Sequence, residues 1–154
     1  MKTGDKVPDL LGKDENGKEI RLSDFPGKKI ALYFYPKDMT SGCTAQAQNL
    51  RDNRDALANA GYQIIGVSVD NENSHRKFIE KNELNFPLVS DTDKNLVNRF
   101  GVWAEKSMCG RKYMGTLRTT FLISPDGVVR HIIGPKQIKT KDHASQILAA
   151  DKEN

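Results

Sequence analysis

The side chains best suited to chemistry gather in one stretch, Tyr35-Pro36-Lys37-Asp38-Met39-Thr40-Ser41-Gly42-Cys43-Thr44. It follows the most hydrophobic run of the chain, residues 29–35, and precedes a segment with helical period. This reads as a strand ending at Pro36, a polar loop, and Cys43 where a helix begins. A thiol at a helix N-terminus feels the positive end of the peptide dipoles, which favours the thiolate. Position alone is compatible with an activated nucleophile and equally with a small apolar side chain in the first turn.

Several chemistries can be weighed from the residue types. A dithiol oxidoreductase of the thioredoxin type needs Cys-x-x-Cys, and Cys43-Thr44-Ala45-Gln46 has no second thiol. Thioredoxin-type sites also place a proline before the strand facing the cysteine, where this chain has Arg118-Thr119-Thr120. A guanidinium beside Cys43 would favour the thiolate and could bind a polarised oxygen; the alternative is an ordinary strand-end residue. A Cys-His hydrolase is disfavoured. His75 falls in a charged helix and His143 in the first turn of the last helix, both expected to be exposed. With His131 and the two cysteines they show no zinc-ligand spacing, so no metal is expected, and nothing calls for a cofactor.

The elements that must position these residues follow from patterning. Residues 7–11 and 19–22 flank a polar segment with Asn16-Gly17, a hairpin signal. The apolar run 29–35 reads as a central strand covered on both faces. Cys43, Ala47, Leu50, Leu57 and Ala58 recur near helical spacing until Gly61. Residues 62–70 form a second buried strand, and Ser74 is placed to cap a helix through Phe78 and Ile79. Leu88-Val89 is a short strand, and 91–100 a helix stopped by Gly101. Residues 102–115 show no clear period, and the Gly-flanked stretch 106–111 around Cys109 is expected to be mobile. Strands at 118–124 and 128–133 flank Pro125-Asp126-Gly127, and Thr140 is placed to cap a final helix with Ile147 and Leu148. The expected fold is α/β and thioredoxin-like: a central mixed sheet with helices on both faces and an N-terminal β-hairpin, one domain over residues 1–154.

Composition narrows the function. The net charge of +4 is spread over the chain with acidic and basic residues mixed, so no nucleic-acid partner is expected. No apolar run approaches the roughly 20 residues that span a bilayer, and the N-terminus lacks a signal-peptide core, so no membrane is expected. Two cysteines in 154 residues argue against a secreted disulfide framework and for a reducing cytoplasm. Without an extended apolar seam, a monomer is expected.

Pro36-x-x-x-Thr40-x-x-Cys43 resembles the peroxiredoxin signature, and the string Phe34 to Thr44 is similar to the bacterioferritin comigratory protein, or peroxiredoxin Q, subfamily. The resemblance continues through Leu50-Arg51-Asp52, Phe86-Pro87-Leu88-Val89-Ser90-Asp91, Phe100-Gly101-Val102-Trp103 and Arg118-Thr119-Thr120-Phe121-Leu122-Ile123, nearly the whole chain. It implies a peroxidase acting on hydrogen peroxide and organic hydroperoxides. Cys43 would be the peroxidatic thiolate, converted to a sulfenic acid. Thr40 would hydrogen-bond thiolate and peroxide, Arg118 would stabilise thiolate and developing charge, and Pro36 would shield the sulfur.

The chain departs from that pattern where the cycle is completed. Many members carry a second cysteine five residues after the first, here Gln48, about 140° around the helix. Others use a later helix, here Phe78 and Ile79, and Ser41 stands where proline is common. Cys109 is the remaining candidate for a resolving thiol. The leading expectation is a one-cysteine cycle, with Cys43 reduced by an external thiol, thioredoxin or a low-molecular-weight thiol. A peroxide-sensing relay that passes oxidation to a partner is the alternative. No general acid for the leaving oxygen is evident in the motif.

Overall fold

In the computed structural model, which describes residues 1–153, the apolar run becomes β3 (Lys29–Phe34), the middle strand of a five-stranded sheet. It pairs in parallel with β4 (Tyr62–Ser68), which pairs in parallel with the edge strand β5 (Leu88–Ser90). On its other side β3 pairs antiparallel with β8 (Thr119–Ile123), which pairs antiparallel with β9 (Val129–Ile133). The sheet is therefore mixed.

Alternation along β3 sends its residues into two cores. Ala31 and Tyr33 pack with Cys43, Ala47 and Leu50 of α1 (Ser41–Asp52), Leu57 of α2 (Arg54–Asn59), Phe78 of α3 (Glu72–Asn82) and Ile147 of α5 (His143–Asp151). Ile30, Leu32 and Phe34 face Leu96 and Val97 of α4 (Asn95–Arg99), followed by Phe100. Phe34 meets Phe100 at 5.1 Å and Phe121 at 5.6 Å between ring centroids. Helices thus cover both faces. β1 (Leu10–Lys13) and β2 (Glu19–Arg21) form the N-terminal hairpin. Among the described residues no helix is long and apolar enough to cross a membrane.

Local boundaries differ from the sequence reading for identifiable reasons. The long helix expected up to Gly61 breaks at Asn53, whose side-chain amide donates to Asn49 O at 2.8 Å. The cap of α3 is Asn71 rather than Ser74: its side-chain oxygen accepts the Ser74 N–H. Residues 91–94 are a loop, because the Asp91 carboxylate accepts the Leu96 and Val97 amides and Lys94 is left-handed. Thr140 opens a short 3-10 turn, and α5 starts three residues later.

The segment 102–115 is ordered as a hairpin, β6 (Trp103–Met108) and β7 (Arg111–Thr116). Its two turn residues, Cys109 and Gly110, both have positive φ, 52° and 77°, the conformation that matches a two-residue turn to strand twist. Most of its side chains face solvent, so the strands carry no apolar alternation to detect.

Candidate active site

β3 ends at Phe34, and Tyr35 still donates its amide to Val67 O at 3.0 Å. Pro36 then turns the chain into a loop, half-buried at its start. Met39 adopts φ 67°, and Thr40 is extended as the N-cap of α1. Thr40 Oγ1 donates to Lys37 O at 2.8 Å, closing the loop on itself. Cys43 is the third residue of the helix and only 1% exposed. Its N–H belongs to the first-turn amides that have no intrahelical acceptor and aim at the site.

Arg118 arrives from the opposite direction. Because β8 runs antiparallel to β3 with Thr119 opposite Phe34, the residue before β8 stands level with the loop after β3. Its Nη2 lies 3.4 Å from Cys43 Sγ, and its Nη1 donates to Gln46 Oε1 at 2.7 Å. Gln46 is three residues after Cys43, on the same helix face and buried. One planar guanidinium thus bridges the sulfur and a fixed acceptor, which holds a cation against the thiol in a single orientation. Tyr33 lies on the same side of the sheet, fully buried, and its hydroxyl has no partner among the described residues. Burial, with the negative charge available to Cys43, raises its ionisation well above the usual phenol range.

The other cysteine is elsewhere in character. Cys109 is an exposed free thiol at the hairpin tip, whereas Cys43 is a buried free thiol. Gln48 donates to Asn82 Oδ1 of α3 at 3.0 Å, tying the two helices together. Phe78 is buried and Ile79 half-buried.

Both histidines expected at the surface are fully buried, which corrects the sequence reading. His75 sits one turn before Phe78 on the inner side of α3. Its Nδ1 is 2.7 Å from Asp38 Oδ2 and its Nε2 3.0 Å from Val89 O. Both neighbours offer acceptor oxygens, so each ring nitrogen has its own hydrogen-bond partner. Asp38, 5% exposed, also accepts the Tyr35 hydroxyl at 2.6 Å and the Ser74 hydroxyl at 2.8 Å, while its amide donates to Asp70 Oδ2 at 2.9 Å. Asp38, Asp70 and His75 offer ligand atoms within 4.8 Å of one another, but the three groups are already tied by these bonds. The loop that carries Thr40 is thereby anchored to α3. His143 accepts from the Thr120 hydroxyl at Nε2, 2.7 Å, and donates from Nδ1 to Gln146 Oε1, 2.9 Å. Burial pushes it down to about 4, so the ring is neutral at pH 7.

Gln46, Asp38 and His75 are the groups near the site that residue types alone did not single out. The signal for Gln46 was its spacing from Cys43. For His75 it was the spacing to Phe78, which marks the inner helix face.

The family described as AhpC/TSA matches residues 3–132. The chain is 43% identical over 148 residues to "Peroxiredoxin Bcp" of Escherichia coli (strain K12), covering 96% of this chain and 94% of that protein. It is 45% identical over 148 residues to "Peroxiredoxin Bcp" of Bacillus subtilis (strain 168), covering 96% and 93%. Among solved structures, the bacterioferritin comigratory protein of Xanthomonas campestris superposes with a TM-score of 0.83 at 36% identity, covering 97% of this chain and 98% of that one; that structure is described in terms of alkyl peroxide reduction activity.

Proposed function

This chain belongs to the AhpC/TSA family, in its bacterioferritin comigratory protein or peroxiredoxin Q subfamily, and is a thiol-dependent peroxidase; on that premise we propose that Cys43 carries the reaction through a sulfenic acid. The observation that supports this most is the Arg118 guanidinium 3.4 Å from a buried thiol in the first turn of a helix. The Cys43 thiolate attacks the terminal peroxide oxygen. An S–O bond forms as the O–O bond breaks, sulfur is oxidised by two electrons, and the second oxygen leaves as alkoxide or hydroxide. The first-turn amide of Cys43 and the guanidinium donate to oxygens whose charge grows along this path. The Thr40 proton points to Lys37 O, so Thr40 meets the peroxide O–H as an acceptor. Pro36 closes the loop side of the sulfur against water.

A one-cysteine cycle fits the second half. An external thiol, thioredoxin or a low-molecular-weight thiol, attacks the sulfenic acid and releases water; a further thiol frees Cys43 from the mixed disulfide. The exposed hairpin-tip position of Cys109 and the Gln48–Asn82 bond favour this cycle over an internal one. Alkyl hydroperoxides are the proposed substrates alongside hydrogen peroxide, by likeness to the Xanthomonas campestris relative. Cys43→Ser is expected to abolish thiol-dependent peroxide consumption, and Cys109→Ser to leave it close to the parent rate. Turnover surviving in the first variant, or lost in the second, would overturn these assignments.

A further inference from the structure

The hairpin β6–β7 is mostly exposed, yet one of its lysines turns inward. Lys106 lies opposite Tyr113 in the hairpin register. Its ammonium nonetheless donates to Thr116 O at 3.1 Å, so the side chain runs along β7 toward Arg118. Gly115 opens that path: a Cβ there would lie 2.9 Å from Lys106 Cδ, too close for packed carbons. Gly115 lies outside the positive-φ region, so the backbone does not account for a glycine at this position. Two residues beyond Thr116, Arg118 reaches the Cys43 sulfur. Of three ammonium protons, one is used on Thr116 O; among the described residues the other two make no hydrogen bond.

The proposed reaction needs a proton at the leaving oxygen, and the groups already assigned do not supply it. The Arg118 fork is already spent on Gln46 Oε1 and the Cys43 sulfur. The Thr40 proton is committed to Lys37 O, and Tyr33 is held far above the usual phenol range. We propose that Lys106 is the general acid of the peroxidase reaction, giving its proton to the alkoxide or hydroxide expelled when Cys43 attacks. The balance is complete: sulfur gains the terminal oxygen, the leaving oxygen takes the ammonium proton, and the neutral amine regains one from water. This rests on the peroxidase reading above. Burial and the neighbouring Arg118 charge lower the proton affinity of Lys106, with Cys43 acting the other way, which makes it a better acid than a surface lysine. On its own hairpin exposed Glu105 and Lys112 pair with each other at 3.7 Å, and the Lys94 ammonium from outside it lies over the Trp103 ring at 5.5 Å.

The test compares two oxidants on the reduced full-length protein by stopped flow. An alkyl hydroperoxide expels an alkoxide that must be protonated; peracetic acid expels acetate, which need not be. Lys106→Met is expected to slow the alkyl hydroperoxide reaction about 100-fold or more and to leave peracetic acid within about threefold. Gly115→Val, which closes the path of the side chain, is expected to do the same. Lys106→Arg keeps the charge without a transferable proton and is expected not to restore the rate. Equal slowing of both oxidants, no slowing of either, or full activity of Lys106→Arg overturns the proposal. If the unmodified protein reduces neither oxidant, the peroxidase reading fails instead.

Discussion

Replacing His75 with phenylalanine removes the hydrogen-bonding nitrogens from a buried pair while keeping a ring of similar size between Tyr35 and α3. Asp38 would retain the Tyr35 and Ser74 hydroxyls at 2.6 Å and 2.8 Å but lose its 2.7 Å partner. Val89 O, in a buried residue, would lose the donor at 3.0 Å. Leaving a buried carboxyl without its partner costs about 1–3 kcal/mol, and the orphaned carbonyl adds about 1–3 kcal/mol. A net loss of about 4 kcal/mol is therefore expected. Urea unfolding followed through Trp103 fluorescence reads it as a midpoint lowered by about 2 M at an ordinary slope. Asp38→Asn in the same background removes the stranded charge, and the double variant should fall short of additivity by about 2 kcal/mol. A loss under about 1 kcal/mol in the single variant, or strict additivity in the double, would refute the view that this pair anchors the loop bearing Thr40.

Arg118→Met should lower the rate constant for peroxide reduction by about 10²–10³ with the fold intact, measured by stopped flow and circular dichroism. Arg118→Lys should recover only part of it, since an ammonium cannot reach both Gln46 and the sulfur with one planar fork. His143 gives a pH signature of stability. Its folded affinity is lowered from 6.5 to about 4, so the unfolded chain takes the proton first as pH falls. Its contribution is complete above about pH 6.5 and is lost toward pH 4, about 3 kcal/mol in all. Urea midpoints between pH 7 and 4.5 should drop less steeply in His143→Gln than in the parent.

The loop around Cys43 was legible because three strong signals adjoin there: an unbroken apolar strand, Pro36, and a helical apolar period. The position of Arg118 was legible only as a replacement for a familiar proline; its approach to the sulfur depends on the antiparallel register of β3 and β8. The hairpin 103–116 escaped because exposed strands need no apolar alternation, and because Cys109, not a usual left-handed residue, supplies the first positive φ of its turn. With it escaped Lys106, whose reach to Thr116 O passes over Gly115 of the facing strand. The buried histidines were readable in principle. His143 shares an apolar stripe with Ala144, Ile147 and Ala150, and His75 one with Phe78; their charged neighbours drew attention to the wrong faces. Nothing local in the loop announces that Asp38 is buried, since its partners come from α3 and the end of β4.

Mass spectrometry of the reduced protein after a single equivalent of hydroperoxide tests the central claim most directly. With a sulfenic-acid trap present, the account predicts one adduct, on Cys43, with Cys109 still a free thiol. A Cys43–Cys109 disulfide, or oxidation of Cys109 with Cys43 untouched, would contradict it.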